Sequence, residues 1–175
     1  MGSVETCGRF DEEHIMTDEE FVFYRNEVVK SEGFDIPSMP DVSSFHMIQP
    51  CNLNREDEYI LFQQYSQLAI DEYHRRFKDT SAKLELVKVL KTMSMVLDIV
   101  RFFITFEAKD LDDGGKTKTY QAVVRMDVFG ESVLSFRLKP TEDEQGEADD
   151  GNLLLFWEAI LGKNGFGKVI LQMVL

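Results

Sequence analysis

Basic side chains are scarce in this sequence, and their scarcity argues against one large class of function. The chain has 19 Lys and Arg against 32 Asp and Glu, a formal net charge of −13. Nucleic-acid-binding domains carry basic charge on at least one face, and anionic lipid surfaces also attract basic charge. We therefore expect no nucleic-acid partner, and we interpret the acidity as a contribution to solubility.

Cysteine and long apolar runs are also rare. The two cysteines, Cys7 and Cys51, have a spacing that indicates neither a disulfide framework nor a metal site, which is typical of a reducing compartment. The acidic amino terminus lacks the apolar core of a signal peptide, and no run reaches the roughly 18 apolar residues that span a bilayer. The expectation is a protein without signal peptide or membrane span, in the cytoplasm or alternatively the nucleus.

No motif in the chain predicts catalysis. Residues 162–168, GKNGFGK, fit half of a phosphate-binding loop, but Val169 stands where Ser or Thr should bind magnesium. Residues 110–114, DLDDG, begin like a calcium loop but lack its bidentate Glu. Nothing places Cys51 beside a histidine as a nucleophile pair. We therefore expect neither an enzyme nor a bound metal or cofactor.

Two stretches have helical periodicity. Residues 18–31, DEEFVFYRNEVVKS, predict a short amphipathic helix with acidic residues in its first turn. Residues 55–78 predict a long helix, which Asn54 could cap with Asp57 three residues later. Its apolar face recurs at intervals of three and four residues: Leu61, Phe62, Tyr65, Leu68, Ala69, Tyr73 and Phe77.

The apolar stretch 84–108 predicts two antiparallel strands joined at residues 92–99. Val100, Phe102, Ile104 and Phe106 alternate with more polar positions, which is typical of a sheet with one face on a core. Residues 119–129 and 132–138 predict two further strands, with turns at 113–115 and at Gly130-Glu131. One long helix followed by a four-stranded antiparallel meander indicates the α+β class.

The acidic charge lies mainly outside this central part. Residues 1–58 carry 4 basic and 14 acidic side chains, whereas residues 59–138 carry 12 and 11. We expect an acidic extension with a short helix over 1–54, disordered or loosely attached over 1–20 and with one short strand at 45–48. The folded domain should span 55–138, and an acidic linker with an apolar hairpin or tail should span 139–175.

The helix and the strands resemble the plant cystatins over about residues 60–138. Their helix pattern, Arg-Phe-Ala-Val-Asp-Glu-His-Asn, is similar to residues 67–74, QLAIDEYH, and their next strand, Leu-Glu-Phe-Val-(Arg/Lys)-Val-Val-Lys, is similar to 84–91. Their Leu-Thr-Leu-Glu-Ala and Lys-Tyr-Glu-Ala are similar to residues 104–108 and 118–122. The leader at 23–37, FYRNEVVKSEGFDIP, resembles the plant cystatin-related group.

The resemblance implies a cystatin-like fold, with one long helix packed across a curved antiparallel sheet, and inhibition of papain-like cysteine proteases. In that family a glycine-containing segment and two hairpin tips, Gln-Val-Val-Ala-Gly and Pro-Trp, plug the active-site cleft without any chemistry by the inhibitor. This sequence departs from all three pieces, so the alternative is a non-inhibitory interaction scaffold that binds an unknown protein. The implied protease-contacting residues are, in the first hairpin tip, Met95, Val96, Leu97, Asp98 and Ile99, and in the second, Asp127, Val128 and Phe129.

Overall fold

The computed structural model describes residues 14–42, 47–77, 83–96 and 99–141. These residues form two helices and five strands, which follow one another along the chain. In order they are α1 (Asp18–Ser31), β1 (Ile48–Pro50), α2 (Glu56–Arg76), β2 (Leu84–Val96), β3 (Val100–Asp110), β4 (Lys116–Asp127) and β5 (Gly130–Leu138). Cys7, the phosphate-loop-like residues 162–168 and the expected C-terminal hairpin lie outside the described residues.

The strands form one antiparallel sheet in the order β1-β2-β3-β4-β5. The predicted α+β class, with a long helix across an antiparallel sheet, is confirmed. The expected four strands become five because Ile48 pairs with Met95 and Pro50 with Met93. Proline is tolerated in this edge strand, where its missing N–H breaks no ladder. The strand expected at 45–48 therefore begins only at Ile48, and residues 45–46 lie outside the description.

Helix α2 covers one face of the sheet through the periodic apolar positions of its sequence. Its buried residues Phe62, Tyr65, Ala69 and Ile70 pack against a core from β2 to β5. The sheet contributes Leu84, Val89, Phe102, Ile104, Phe106, Ala108, Tyr120, Ala122, Val124 and Val133. Alternate positions of β4 face this helix, as the sequence predicted.

The start of α2 differs from the expectation. The N-cap is Arg55, without a side-chain capping bond, and Asn54 does not cap the helix. The Asn54 N–H instead donates to Asn52 Oδ1 at 3.0 Å, a turn that precedes the helix. Asp57 accepts from the Arg55 guanidinium at 2.9 Å rather than serving a capping box.

Strand β2 continues farther and less regularly than its sequence indicated. It extends to Val96, which pairs with Val100, so the connection spans residues 97–99 and not 92–99. The register shifts between Leu86 and Lys88 and again between Val89 and Lys91. Bulges of this kind reverse the side-chain parity.

The prediction that only one face of the sheet meets a core is wrong. The other face is buried as well, and Phe103 on β3 is fully inaccessible. The buried residues of this second core are Val28, Phe34, Ile36, Ile48, Met93, Met95, Phe103 and Val123. The chain from α1 to β1 therefore covers the face that strand alternation assigned to solvent.

The end of α1 allows the chain to reach this face. Glu32 adopts a left-handed conformation with φ 51°, and Gly33 follows with φ 84°. A Cβ at Gly33 would lie 2.9 Å from Cδ1 of Ile48 and 3.1 Å from the Phe103 ring, so glycine is required both for φ and for close approach. The next residue, Phe34, then meets Phe103 edge-on at a centroid distance of 5.6 Å.

Residues 14–20 are attached, contrary to the expectation of a loose segment over 1–20. Thr17 and Glu20 form a reciprocal capping box at the start of α1. The His14 N–H donates to the Asp41 carbonyl at 3.0 Å. Residues 1–13, which include the remaining part of this prediction, lie outside the description.

Candidate functional site

Three connections meet at one end of the sheet. Val96 pairs with Val100, Val100 with Met126, and Asp127 with Gly130. The β2–β3 and β4–β5 turns therefore lie at the same end, and the start of β1 joins them because Ile48 is opposite Met95. We call residues 47–48, 95–96, 99–100 and 126–130 the loop edge; it collects the described members of the predicted contact set.

The first turn presents fewer side chains than its sequence suggested. Met95 is only 2% exposed, since it belongs to the second core and pairs with Ile48 and Arg101. Val96 is 57% exposed, and Ile99 is half-buried. Leu97 and Asp98 lie outside the described residues. Of the five predicted contact residues, Met95 is therefore directed to the interior.

The second turn is the most exposed apolar feature of the loop edge. Val128 and Phe129 are 93% and 96% exposed. They are the two residues between β4 and β5, so the turn is not at Gly130-Glu131 as predicted. Gly130 instead opens β5 with φ 124°. Two large apolar side chains in water indicate an interaction surface more than a folding requirement.

Asp127 fixes this turn and does not project as a free charge. Its Oδ1 accepts the Phe129 N–H at 2.8 Å, which holds the turn in the manner of an Asx motif. Its Oδ2 lies 3.2 Å from the Arg125 guanidinium nitrogen Nε. The negative charge is therefore partly balanced at the point where the apolar tip begins.

Two residues outside the predicted contact set, Ile48 and Tyr24, stabilise the loop edge from the interior of the protein. Ile48 pairs with Met95 and belongs to the second core, and its N–H donates to the Tyr24 hydroxyl of α1 at 2.8 Å. Burial raises the pKa of Tyr24, so the phenol stays protonated at neutral pH. The helical spacing of Tyr24 and Val28 marked an inner face of α1, but no local pattern indicated that this face lies behind the loop edge.

The described residues offer no assembled catalytic or metal chemistry. Burial raises the pKa of the Cys51 thiol, which disfavours the reactive thiolate. Among these residues no cluster of His, Cys, Asp and Glu could hold a metal ion. His74 Nε2 accepts the Leu84 N–H at 2.9 Å, joining the end of α2 to the start of β2.

The acidic turn between β3 and β4 is neutralised by its own lysines. Lys118 Nζ lies 2.9 Å from both Asp110 and Asp113, and Lys116 is 2.9 Å from Asp113. These hydrogen bonds lower the pKa of Asp113 to about 2. Gly114 and Gly115 have φ values of 65° and 75°, as expected for this turn. None of the helices in the described parts is long and apolar enough to cross a membrane.

Several chains in solved structures resemble this protein, and one of them is a tick salivary protein. The salivary cystatin of the soft tick Ornithodoros moubata is similar over 53% of this chain and 96% of the tick protein, with 14% identity and a TM-score of 0.40. No protein-family model matches the chain, and no curated protein sequence matches it.

Proposed function

We propose that the protein binds the active-site cleft of papain-like cysteine proteases through the loop edge and inhibits them weakly. One observation carries the proposal: Val96, Val128 and Phe129 are exposed together at the end of the sheet where two turns and the start of β1 meet. An apolar edge held by a rigid sheet fills a groove at low entropic cost, because its backbone is already ordered.

The same geometry accounts for the expected weakness. Met95 is committed to the second core and is not available to a partner. Binding must then rely on few anchors, and affinity depends on the quality of such anchors more than on buried area. Phe129 is the largest exposed anchor on the described part of the loop edge. We assign it the largest single contribution to binding.

The second candidate is a non-inhibitory scaffold that binds another protein. The observation in its favour is the second core, in which α1 and the following loop cover part of the second sheet face and hold Met95. A chain that uses its extension in this way can retain the fold for packing reasons alone. In that case the exposed tip at Val128 and Phe129 would contact a partner that is not a protease.

We also propose the finer attributions that the sequence suggested. The leader at 23–37 and the strand motifs favour the plant cystatin-related group, with cytoplasmic or nuclear location and no enzymatic activity. We keep the division into an extension (1–54), a central domain (55–138) and a C-terminal segment (139–175). Within the extension, residues 14–42 pack on the central sheet.

The test is a titration of papain activity with the full chain and with two matched variants. Phe129→Ala removes the exposed anchor, whereas Leu111→Ala removes a 48% exposed apolar side chain at the opposite end of the sheet. Loss of an aromatic anchor worth about 2 kcal/mol should raise the inhibition constant about 30-fold. Leu111→Ala should leave it unchanged.

Two outcomes oppose the inhibitor proposal. Absence of inhibition by the parent chain at high concentration, with its fold verified by circular dichroism, would favour the scaffold. Equal inhibition by the parent and Phe129→Ala would show that the cleft is filled by another surface.

A further inference from the structure

A row of polar side chains crosses the second face of the sheet, beside an otherwise apolar core. Lys91 pairs with Thr105, Thr105 with Gln121, and Gln121 with Arg137, across β2, β3, β4 and β5. Thr105 and Gln121 are only 7% and 4% exposed. Burying polar groups costs free energy unless they are hydrogen-bonded. We therefore expect the polar side chains of this row to have hydrogen-bond partners.

The apolar residues beside this polar row are covered by the segment after α1, whereas the polar row itself borders a cavity. Phe34 and Ile36 pack with Met93, Phe103 and Val123 in the second core. Beyond them the chain leaves a cavity of about 260 Å³. Its walls come from the end of α1 and the loop after it, from β2 and from the end of β5: Val29, Lys30, Ser31, Glu32, Phe34, Asp35, Leu90, Lys91, Arg137, Lys139 and Pro140.

The hydrogen bonds at the floor orient Gln121. Nε and Nη2 of Arg137 donate to Gln121 Oε1 at 3.1 and 2.9 Å. Because the amide oxygen faces the guanidinium, the amide nitrogen is directed away from Arg137 as a donor. The Thr105 hydroxyl beside it has no hydrogen-bond partner within the described part of the chain. The floor therefore offers donors and a hydroxyl to a ligand.

The charges around the cavity are positive in an acidic protein. Four basic side chains and two acidic ones line it, although the chain has a net charge of −13. Glu32 is paired with Arg137, and Asp35 with Lys91. That leaves Lys30 and Lys139, neither of which forms an ion pair within the described residues. The unbalanced charge favours an anion.

We propose that this cavity binds a small organic carboxylate. Its apolar body would lie against Val29, Leu90 and Pro140, its acid group would face Lys30 and Lys139, and the polar floor would fix its orientation. A cavity of about 260 Å³ has room for a single ring or a short chain, since an apolar cavity of about 150 Å³ holds benzene.

The cavity is distinct from the loop edge. Lys91 lies five residues before Val96 on the same strand, a separation of about 17 Å. Ligand binding can therefore be measured without any protease, and its outcome is independent of the inhibitor proposal.

The experiment follows amide shifts of the ¹⁵N-labelled full chain during titration with benzoate. Benzamide and benzylamine serve as neutral and cationic probes of similar shape. We expect shifts at the Gln121 side-chain amide and around residues 30 and 139, with benzoate binding at least about fivefold more tightly than benzamide. Shifts spread over the surface, or equal affinity for the three probes, would overturn the proposal.

Variants test separately how the positive charge and the volume of the cavity contribute to binding. Replacing Lys30 and Lys139 together by glutamine should weaken benzoate at least about fivefold and leave benzamide unchanged. Lys109→Gln, which removes an exposed charge outside the cavity lining, is the matched control. Leu90→Trp should block binding of both benzoate and benzamide, because Leu90 lines the cavity and the larger side chain would fill it. Undiminished benzoate binding in the double lysine variant would refute the assignment even if Leu90→Trp failed to fold.

Discussion

Replacing Phe34 by alanine tests the second core most directly. Phe34 is 2% exposed, packs edge-on against Phe103 at 5.6 Å, and lies 5.3 Å from the Arg137 guanidinium carbon. Truncation of a buried phenylalanine costs about 3 to 5 kcal/mol, including the edge-to-face contact. We expect the free energy of unfolding to fall by about 3 to 4 kcal/mol, and Tm by about 10 °C in a chain of this size.

Phe23→Ala is the matched control, because Phe23 belongs to the same extension but is 47% exposed on α1. Its effect should stay below about 1 kcal/mol. Urea denaturation followed by far-ultraviolet circular dichroism measures both variants against the parent. Similar small effects for Phe34→Ala and Phe23→Ala would refute the view that the extension covers the second face of the sheet.

Three further predictions concern the attachments of the extension and the end of α2. Tyr24→Phe should lower the free energy of unfolding by about 1 to 2 kcal/mol, since the Ile48 N–H loses its acceptor; an unchanged urea midpoint would contradict that bond. Gly33→Ala should destabilise by about 1 to 3 kcal/mol, because φ is 84° and the new Cβ meets Ile48; a thermal melt at the parent Tm would count against this geometry. Hydrogen bonds from Arg75 and its neighbour lower the pKa of Glu72 to about 2. The stabilisation from Glu72 should therefore be complete above pH 4.5 and be lost as the pH falls towards 2, and a carboxyl NMR titration of Glu72 with a midpoint near 4.5 would oppose it.

Local sequence was sufficient to predict the helices, because their buried faces follow from the periodicity of their own apolar residues. The prediction of a helix over 18–31 matches α1, and the prediction over 55–78 matches α2 to within two residues. In both, apolar residues recur at helical spacing, and acidic residues open the helix. The glycines at 114 and 115 predicted a turn for the similarly local reason that they accept positive φ.

Non-local contacts account for the wrong predictions of burial and strand register. Phe103 and Thr105 alternate with the residues that face α2, so strand parity alone assigned them to solvent. They are buried because a segment about seventy residues earlier in the chain folds onto that face. The bulges of β2 add a second non-local effect, since register depends on the partner strand and not on the sequence of one strand.

In the candidate site too, some residues lie where the sequence predicted and others do not, because of non-local contacts. Val128 and Phe129 were assigned from their position in the second hairpin, and both are exposed. Met95 was assigned from the first hairpin by the same reasoning, but it is buried beside Ile48 in the second core. Only the pairing of β1 with β2 determines this difference, and that pairing connects residues 43 to 47 positions apart.

The sequence by itself determined the class of fold, because helical and strand periodicities are properties of short windows that each bury one side of an element. It also determined the turn between β3 and β4, through the glycines at 114 and 115. Tertiary structure alone decided that the sheet has two covered faces, that Met95 is withdrawn from the loop edge, and that a positively lined cavity lies over the polar row. These features depend on which distant segment reaches a given face, and a distant segment is selected by shape and by burial of apolar surface, which no local pattern encodes.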